Sequence, residues 1–422
     1  MRPQFHFTAT TGWINDPHSI GYRDGAYDAF YQYVPGGTEW RLDCHWGHAR
    51  GPDLLSLTEL PIALAPGEGD DGIWTGALVR DERGADRIFY TAVSAPGLGA
   101  GRVRVATRGG GEAAWVKGAI VATAPPELEV LAFRDPFVLE EPDGSWRMFV
   151  GAALADGSAA ALSYRSRDLD EWVYEGIALQ RPGHERDPVW TGDLWECPQI
   201  VAVGDRHLMI LSVWSADTLH YAAYAIGRYA DGRFDADDWG RLSFGSSYYA
   251  PSVFMDADGH PCVVFWMRGV QDEADGWAGA HSVPYRLGVE RGRPLLSPHP
   301  DLEIYRRDPA ATGLIDAPAA DAIWTPGRSL VVQSGTVEAA VLTVGDAILT
   351  LQVGPESWRM PYVGGPIRLV VDGPTIEVAS RCGLIGGPLP AAAAPLRLVS
   401  DSPVTVWPLV RENSGPVVSR RP

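Results

Sequence analysis

The stretch that decides the fold is Trp13-Ile14-Asn15-Asp16-Pro17, together with four later stretches that stand in the same phase. These are Trp74-Thr75-Gly76, Arg134-Asp135-Pro136, Trp195-Glu196-Cys197-Pro198 and Tyr248-Tyr249-Ala250-Pro251. From Asp16 through Trp74, Asp135 and Glu196 to Tyr249 the steps are 58, 61, 61 and 53 residues. After each stretch come short runs rich in Val, Ile, Tyr, Phe and Trp: Ala26–Tyr33, Arg87–Val93, Trp146–Ala152, His207–Trp214 and Pro261–Met267. Turn pairs such as Asp24-Gly25, Asp143-Gly144, Gly204-Asp205 and Asp258-Gly259 separate the runs, and Asp-Gly between such runs is a hairpin signal. A repeat of this length, with room for about four strands, predicts a β-propeller blade. Five blades fill residues 1–300.

Beyond Pro300 the pattern changes. Residues 301–307 predict a short helical turn or linker, and 308–422 a β-sandwich, from period-two runs at Ser329–Gln333, Ala340–Val344, Ala347–Val353, Ile367–Val371, Thr375–Val378 and Arg397–Val399. The alanine-rich patch Ala391–Pro395 predicts a loop. The expected fold is therefore all-β: a five-bladed propeller followed by a sandwich.

Composition agrees. Glycine and proline, 48 and 34 of 422 residues, are about a fifth of the chain and disfavour a helical bundle. The formal charge is −18, and Lys117 is the only lysine. An acidic chain of this kind is a poor partner for nucleic acid, and Schiff-base and P-loop chemistry lack a lysine in a suitable motif. Cys44, Cys197, Cys262 and Cys382 are too widely spaced for a zinc ribbon or a disulfide framework and predict free thiols. The opening MRPQFHFTATTGW has no apolar core after a basic start, and no apolar run is long enough to span a membrane. A cytoplasmic protein, monomer or homodimer, is expected; export stays open if the start is trimmed.

In a propeller, equivalent positions of each repeat converge on the central channel. Asp16, Asp135 and Glu196 would therefore meet. Paired carboxylates suit acetal cleavage, where one acid protonates the leaving oxygen and one carboxylate meets the oxocarbenium-like carbon. Each is followed by proline at the next position or the one after, which predicts extended backbone at Asp16 and Asp135. Asp187-Pro188 and Asp308-Pro309 fall outside the repeat. Trp13, Trp40, Trp74 and Trp266 offer indole faces to sugar C–H groups, while Trp46 and Trp195 fit blade packing equally well. Asn15, Gln32 and Arg134 can bind ring hydroxyls, and Arg134 is expected to keep Asp135 ionised. Gly67 to Gly72 matches a dinucleotide loop only formally, and Cys44, His45 and His48 lack a fourth metal partner. No metal and no cofactor are expected.

At these residues the chain resembles glycoside hydrolase family 32, the invertases, levanases, inulinases and fructosidases. The resemblance is carried by Trp13–Pro17, Phe30-Tyr31-Gln32, Trp46–Ala49, Trp74–Ala77, Arg134–Pro136, Trp195–Pro198 and, in the sandwich, Val371–Val378. It implies a retaining enzyme that cleaves terminal β-D-fructofuranosides, sucrose or short fructo-oligosaccharides. Asp16 is then the nucleophile, Glu196 the general acid and base, and Asp135 the transition-state stabiliser. Substrate-binding roles are implied for Asn15, Gln32, Trp40, Trp74, Thr75, Arg134, Tyr249 and Trp266. Two departures stand out. His18-Ser19 replaces the usual Asn-Gly and is expected to reshape a loop beside the nucleophile. Trp74-Thr75 replaces a smaller pair and is expected to narrow the leaving-group side. A fructosyltransferase, a furanosidase for an unusual fructoside, an inverting arabinan- or xylan-directed enzyme and an inactive sugar-binding propeller are the alternatives.

Overall fold

The computed structural model describes residues 1–109, 114–310, 314–315, 317–389 and 395–411. Positions 391–394 of the alanine-rich patch lie outside the described residues. Up to Pro298 the chain folds into five antiparallel units of four strands, each wound outward from an inner strand. The inner strands are Gly12–Arg23, Gly72–Arg80, Val130–Glu140, Leu194–Val203 and Tyr248–Met255. Each touches the next, and the fifth touches the first, so the units close a ring as the blades of a five-bladed propeller. Trp277–His281 fastens the ring. It pairs antiparallel with Pro261–Asp272 of the fifth blade and parallel with Gly12–Arg23 of the first, Gly12 lying opposite Trp277. The runs that the sequence picks out are the second strands of their blades, for example Ala26–Val34 and Trp146–Leu154.

The five repeated stretches share one structural consequence. In every blade the pairing of the inner strand with the second strand slips at that stretch: at Ile14/Pro17, Trp74/Gly76, Arg134/Phe137, Glu196/Gln199 and Tyr249/Ser252. Proline cannot donate to a ladder, so it sits where the ladder is broken, and a bulge turns a side chain away from the alternation. The second blade has glycine instead: a Cβ on Gly76 would lie 1.9 Å from the Phe89 carbonyl oxygen. Extended backbone is not what proline imposes at Asp135. Its φ is 61°, as those of Cys197 and Ala250 before the next two prolines are 50° and 44°. The bulge, rather than proline's preference for an extended predecessor, sets the local geometry.

After a single helical turn at Asp301–Ile304 the chain enters a sandwich of two six-stranded sheets. Trp324, Leu330, Leu342, Leu351, Leu369 and Ile376 fill the space between them. One edge strand, Ser243–Phe244, comes from between the fourth and fifth blades and pairs with Gly383–Pro388. The first residues also dock here: backbone N–H groups of Gln4, Phe5 and His6 donate to the Asp372 carboxylate at 2.8, 2.6 and 3.0 Å. Among the described residues no helix is long and apolar enough to cross a membrane.

Candidate active site

Two cavities lie along the propeller axis, and the sequence positions of their linings give the axis a direction. The larger, about 750 Å³, is lined by residues at or before the acids of the inner strands, such as Trp13, Leu131, Ala132, Asp193 and Leu194. The smaller, about 90 Å³, is lined by residues after them, such as His18, Phe137, Gln199 and Ser252. The inner strands therefore run from the wide funnel toward the narrow channel. Asp16, Asp135 and Glu196 form the floor of the funnel.

Asp16 is held by a closed ring of hydrogen bonds. Asn15 Nδ2 donates to Asp16 Oδ1 at 2.9 Å and to Gln32 Oε1 at 3.0 Å. Gln32 Nε2 donates to Thr75 Oγ1 at 2.6 Å, and Thr75 Oγ1 donates to Asp16 Oδ2 at 2.7 Å. Burial pushes the Asp16 carboxyl up to about 7, aided by the Glu196 charge and opposed by the bonds from Thr75, Cys197 and Asn15. Cys197 explains the cysteine of its motif. Its thiol lies 3.7 Å from both Asp16 Oδ2 and Asp135 Oδ2, and its backbone N–H donates to Asp135 at 3.1 Å. Burial and the neighbouring carboxylates raise that thiol well above its usual value, so it stays a neutral donor.

Glu196 has different partners. Arg134 Nη1 donates to Oε1 at 3.1 Å, and the Tyr249 hydroxyl donates to Oε2 at 2.7 Å. The expected pairing of Arg134 with Asp135 is thus replaced by a pairing with Glu196. Arg134 does pull the Asp135 carboxyl down, but burial and the Glu196 charge outweigh it and raise Asp135 well above the ordinary range. The expectation that Arg134 sets the Asp135 carboxyl low is therefore not met: the net shift is upward. Tyr249 is itself raised well above its usual value by burial and by Glu196, and so remains a donor.

The walls are aromatic. Trp13 and Trp266 meet edge to face at 5.4 Å, as Trp40 and Trp74 do at 6.2 Å, and all four line the funnel. Asn15, Gln32, Arg134 and Tyr249 also line it. Thr75 does not. It stands behind Asp16 and faces the smaller cavity, so it does not narrow the leaving-group side. Nor does His18-Ser19 reshape a loop beside the nucleophile. Both residues lie within the strand Gly12–Arg23; His18 is buried against Trp46 at 3.9 Å, and Ser19 takes the positive φ, 53°. Trp46 and Trp195 are wholly buried packing residues.

Sequence reasoning missed the outer wall: Leu98, Asp193, Trp214, Asp217 and Leu219. Trp214 was within reach of a register argument, because it pairs with Leu194, two residues before Glu196. Away from the funnel, Asp256, Cys262 and His299 converge, but Arg286 already occupies the Asp256 carboxylate at 2.8 Å, as in an ion pair. Cys44 and His48 do not converge on a metal site. The Cys44 thiol bonds the Arg41 carbonyl, and His48 bonds Asp28 at 2.8 Å.

Comparison with known proteins supplies a family. The family model for the glycosyl hydrolases family 32 N-terminal domain matches residues 6–300. The chain is 30% identical over 331 residues to a sucrose-6-phosphate hydrolase of Zymomonas mobilis, covering 72% of this chain and 63% of that protein. It is 30% identical over 375 residues to an insoluble β-fructofuranosidase isoenzyme of Oryza sativa subsp. indica, covering 81% and 62%. The matches thus span less than two thirds of these relatives. In three dimensions it is similar to a Bombyx mori GH32 β-fructofuranosidase solved as a mutant with sucrose, with TM-score 0.83 at 22% identity, over 97% of this chain and 94% of that one. It is also similar to a Cichorium intybus fructan 1-exohydrolase solved with 1-kestose, with TM-score 0.80 at 19% identity, over 97% of both chains. With a family match over most of the chain and acids from three blades on one funnel floor, the chain belongs to glycoside hydrolase family 32.

Proposed function

We propose that the protein is a retaining glycoside hydrolase that releases terminal β-D-fructofuranosyl units from sucrose or short fructo-oligosaccharides. The observation that carries this reading is the floor of the funnel: three carboxylates with three different sets of partners, where a cavity of about 750 Å³ narrows to one of about 90 Å³. A narrowing floor suits a chain end, not the middle of a polymer.

Asp16 attacks the anomeric carbon of the fructosyl unit. The bond from that carbon to the leaving oxygen breaks, and Glu196 gives the oxygen its proton. Glu196 then takes a proton from water, whose oxygen displaces Asp16 and releases fructose. Asp135 holds fructose hydroxyls and supports the oxocarbenium-like state. Asn15 and Thr75 donate to Asp16 and so favour its ionised form, while Tyr249 and Arg134 aim Glu196. Tyr249, Gln32 and the tryptophans shape the sugar pocket. Burial and the neighbouring Glu196 charge raise both Asp16 and Asp135, Asp16 to about 7.

Incubation with sucrose, inulobiose, levanbiose and a longer fructan, with product resolution and the anomer of released fructose read by NMR, tests the proposal. Fructose released with retained configuration is expected. Transfer products in place of fructose, inversion, or no release from any fructoside would contradict it.

A further inference from the structure

We infer that the mouth of the funnel admits an uncharged leaving group and rejects a phosphorylated one, with Asp193 as a specificity-determining residue. The inference rests on the fructofuranosidase reading above and narrows its substrate class. It also runs against the names of three relatives and one solved neighbour, which are sucrose-6-phosphate hydrolases.

Catalysis fixes where the leaving group stands. Glu196 has to come within about 3 Å of the bridging oxygen. The fructosyl unit fills the narrowing floor, so the rest of the substrate projects toward the wide side. Asp193 lies there, three residues before Glu196 on a chain entering the strand Leu194–Val203, or roughly 10 Å nearer the mouth at strand rise. Its Oδ2 accepts from Ser215 Oγ at 3.1 Å, which fixes the carboxylate against the wall. Asp217, exposed at the turn between the second and third strands of the same blade, adds a second acid to the wall.

Against these acids the wall offers almost no positive charge. Among the described lining residues Arg134 is the one cation, and it is committed to Glu196 at 3.1 Å with its guanidinium 5.3 Å from the Trp74 ring centre. Arg268 stands behind the wall, over the Tyr249 ring at 5.0 Å, and donates to the Leu219 and His220 carbonyls at 2.7 and 2.9 Å. Arg41 and Arg50 pair with Asp43 and Asp28, and Arg186, exposed seven residues before Asp193, lies over the Trp190 ring at 4.8 Å; none of the three lines the funnel. A phosphate on the leaving glucosyl unit brings close to two negative charges at neutral pH. It would stand beside Asp193 and Glu196, and among the described lining residues no guanidinium or ammonium is free to receive it. A neutral hexose or fructosyl unit meets no such repulsion and can stack on Trp40, Trp74 or Trp214.

The test compares kcat/KM of the full chain for three substrates at low and high ionic strength: sucrose, sucrose phosphorylated on glucosyl O6, and methyl β-D-fructofuranoside. The phosphorylated sugar is expected to be poorer than sucrose by about 30-fold or more at low salt, from like charges several ångströms apart. The gap should narrow at high salt as screening sets in. In Asp193→Asn/Asp217→Asn the ratio of phosphosucrose to sucrose turnover should rise about tenfold on the same grounds. A general loss of structure would lower both activities and leave the ratio unmoved. Phosphosucrose cleaved as well as sucrose would overturn the inference and leave the fructofuranosidase reading standing. A ratio unchanged in the double variant would overturn the part assigned to Asp193. No cleavage of any of the three would overturn the fructofuranosidase reading and the inference with it.

Discussion

Asp16 shows how a functional residue pays in stability. Its carboxyl sits near 7 because burial disfavours the charge. The ordinary value is 3.8, so the folded form binds its proton more tightly than the unfolded one. Folding therefore loses stability as pH rises from 3.8 toward 7 and stays lower above it. Asp16→Asn should raise the melting temperature at pH 8 but not at pH 4, while cutting turnover by about 10³-fold or more; scanning calorimetry at both pH values checks the first half. Thr75→Val removes a donor from the same carboxylate. A bond of that kind to a charged group is worth about 1.5–3 kcal/mol, so kcat/KM should fall roughly 10- to 100-fold. The acid limb of the pH–rate profile should move upward, since Thr75 holds the Asp16 value down. The three acids were legible in the sequence because they share a repeat phase. Their partners were less so: that Arg134 serves Glu196 and Thr75 serves Asp16 depends on where bulges turn the side chains, and no spacing encodes that.

At the scale of the element, the bulge is the unit that the repeat conserves within this chain. A bulge with proline or glycine occurs at the same phase in all five blades, although only three of the five carry an acid. The stretch thus has a backbone role beneath its chemical one. Gly76 tests this without touching an acid. A methyl there would collide with the Phe89 carbonyl at 1.9 Å, so Gly76→Ala should cost about 3 kcal/mol or more in urea unfolding. Strand existence was readable from runs such as Arg87–Val93, which falls within Asp86–Val93, because half-buried β-surfaces select those residues. The resemblance suggests a reshaped loop at His18-Ser19, because the family's Asn-Gly there favours a turn. The strand instead absorbs the positive φ at Ser19 and buries His18.

At the scale of the whole molecule, propeller and sandwich share more than a linker, which the change of pattern near residue 300 did not reveal. His6 lies wholly buried, 2.8 Å from both Asp372 and Glu377. Glu377 also accepts from the Tyr248 and Tyr285 hydroxyls of the fifth blade at 2.9 Å. Burial alone would lower the His6 value, but bonds and charges from the two acids hold it up at about 9. A raised histidine stabilises fully below its unfolded value, 6.5, and that contribution disappears as pH rises through about 9. Thermal stability should therefore fall between pH 7 and pH 10, and His6→Gln should cost about 3 kcal/mol at pH 6 and much less at pH 10. Contacts between positions 6 and 372 or 377 leave no local sequence signal, whereas blades, built from neighbours in the chain, do. The funnel floor divides labour between a nucleophile on the first blade and an acid on the fourth. Rapid quenching of a Glu196→Gln variant turning over an activated fructoside, followed by peptide mass spectrometry, tests it most directly. The account predicts one fructosyl adduct, on the peptide that contains Asp16. An adduct on Asp135 or another residue, or turnover with inverted product and no adduct, would contradict it.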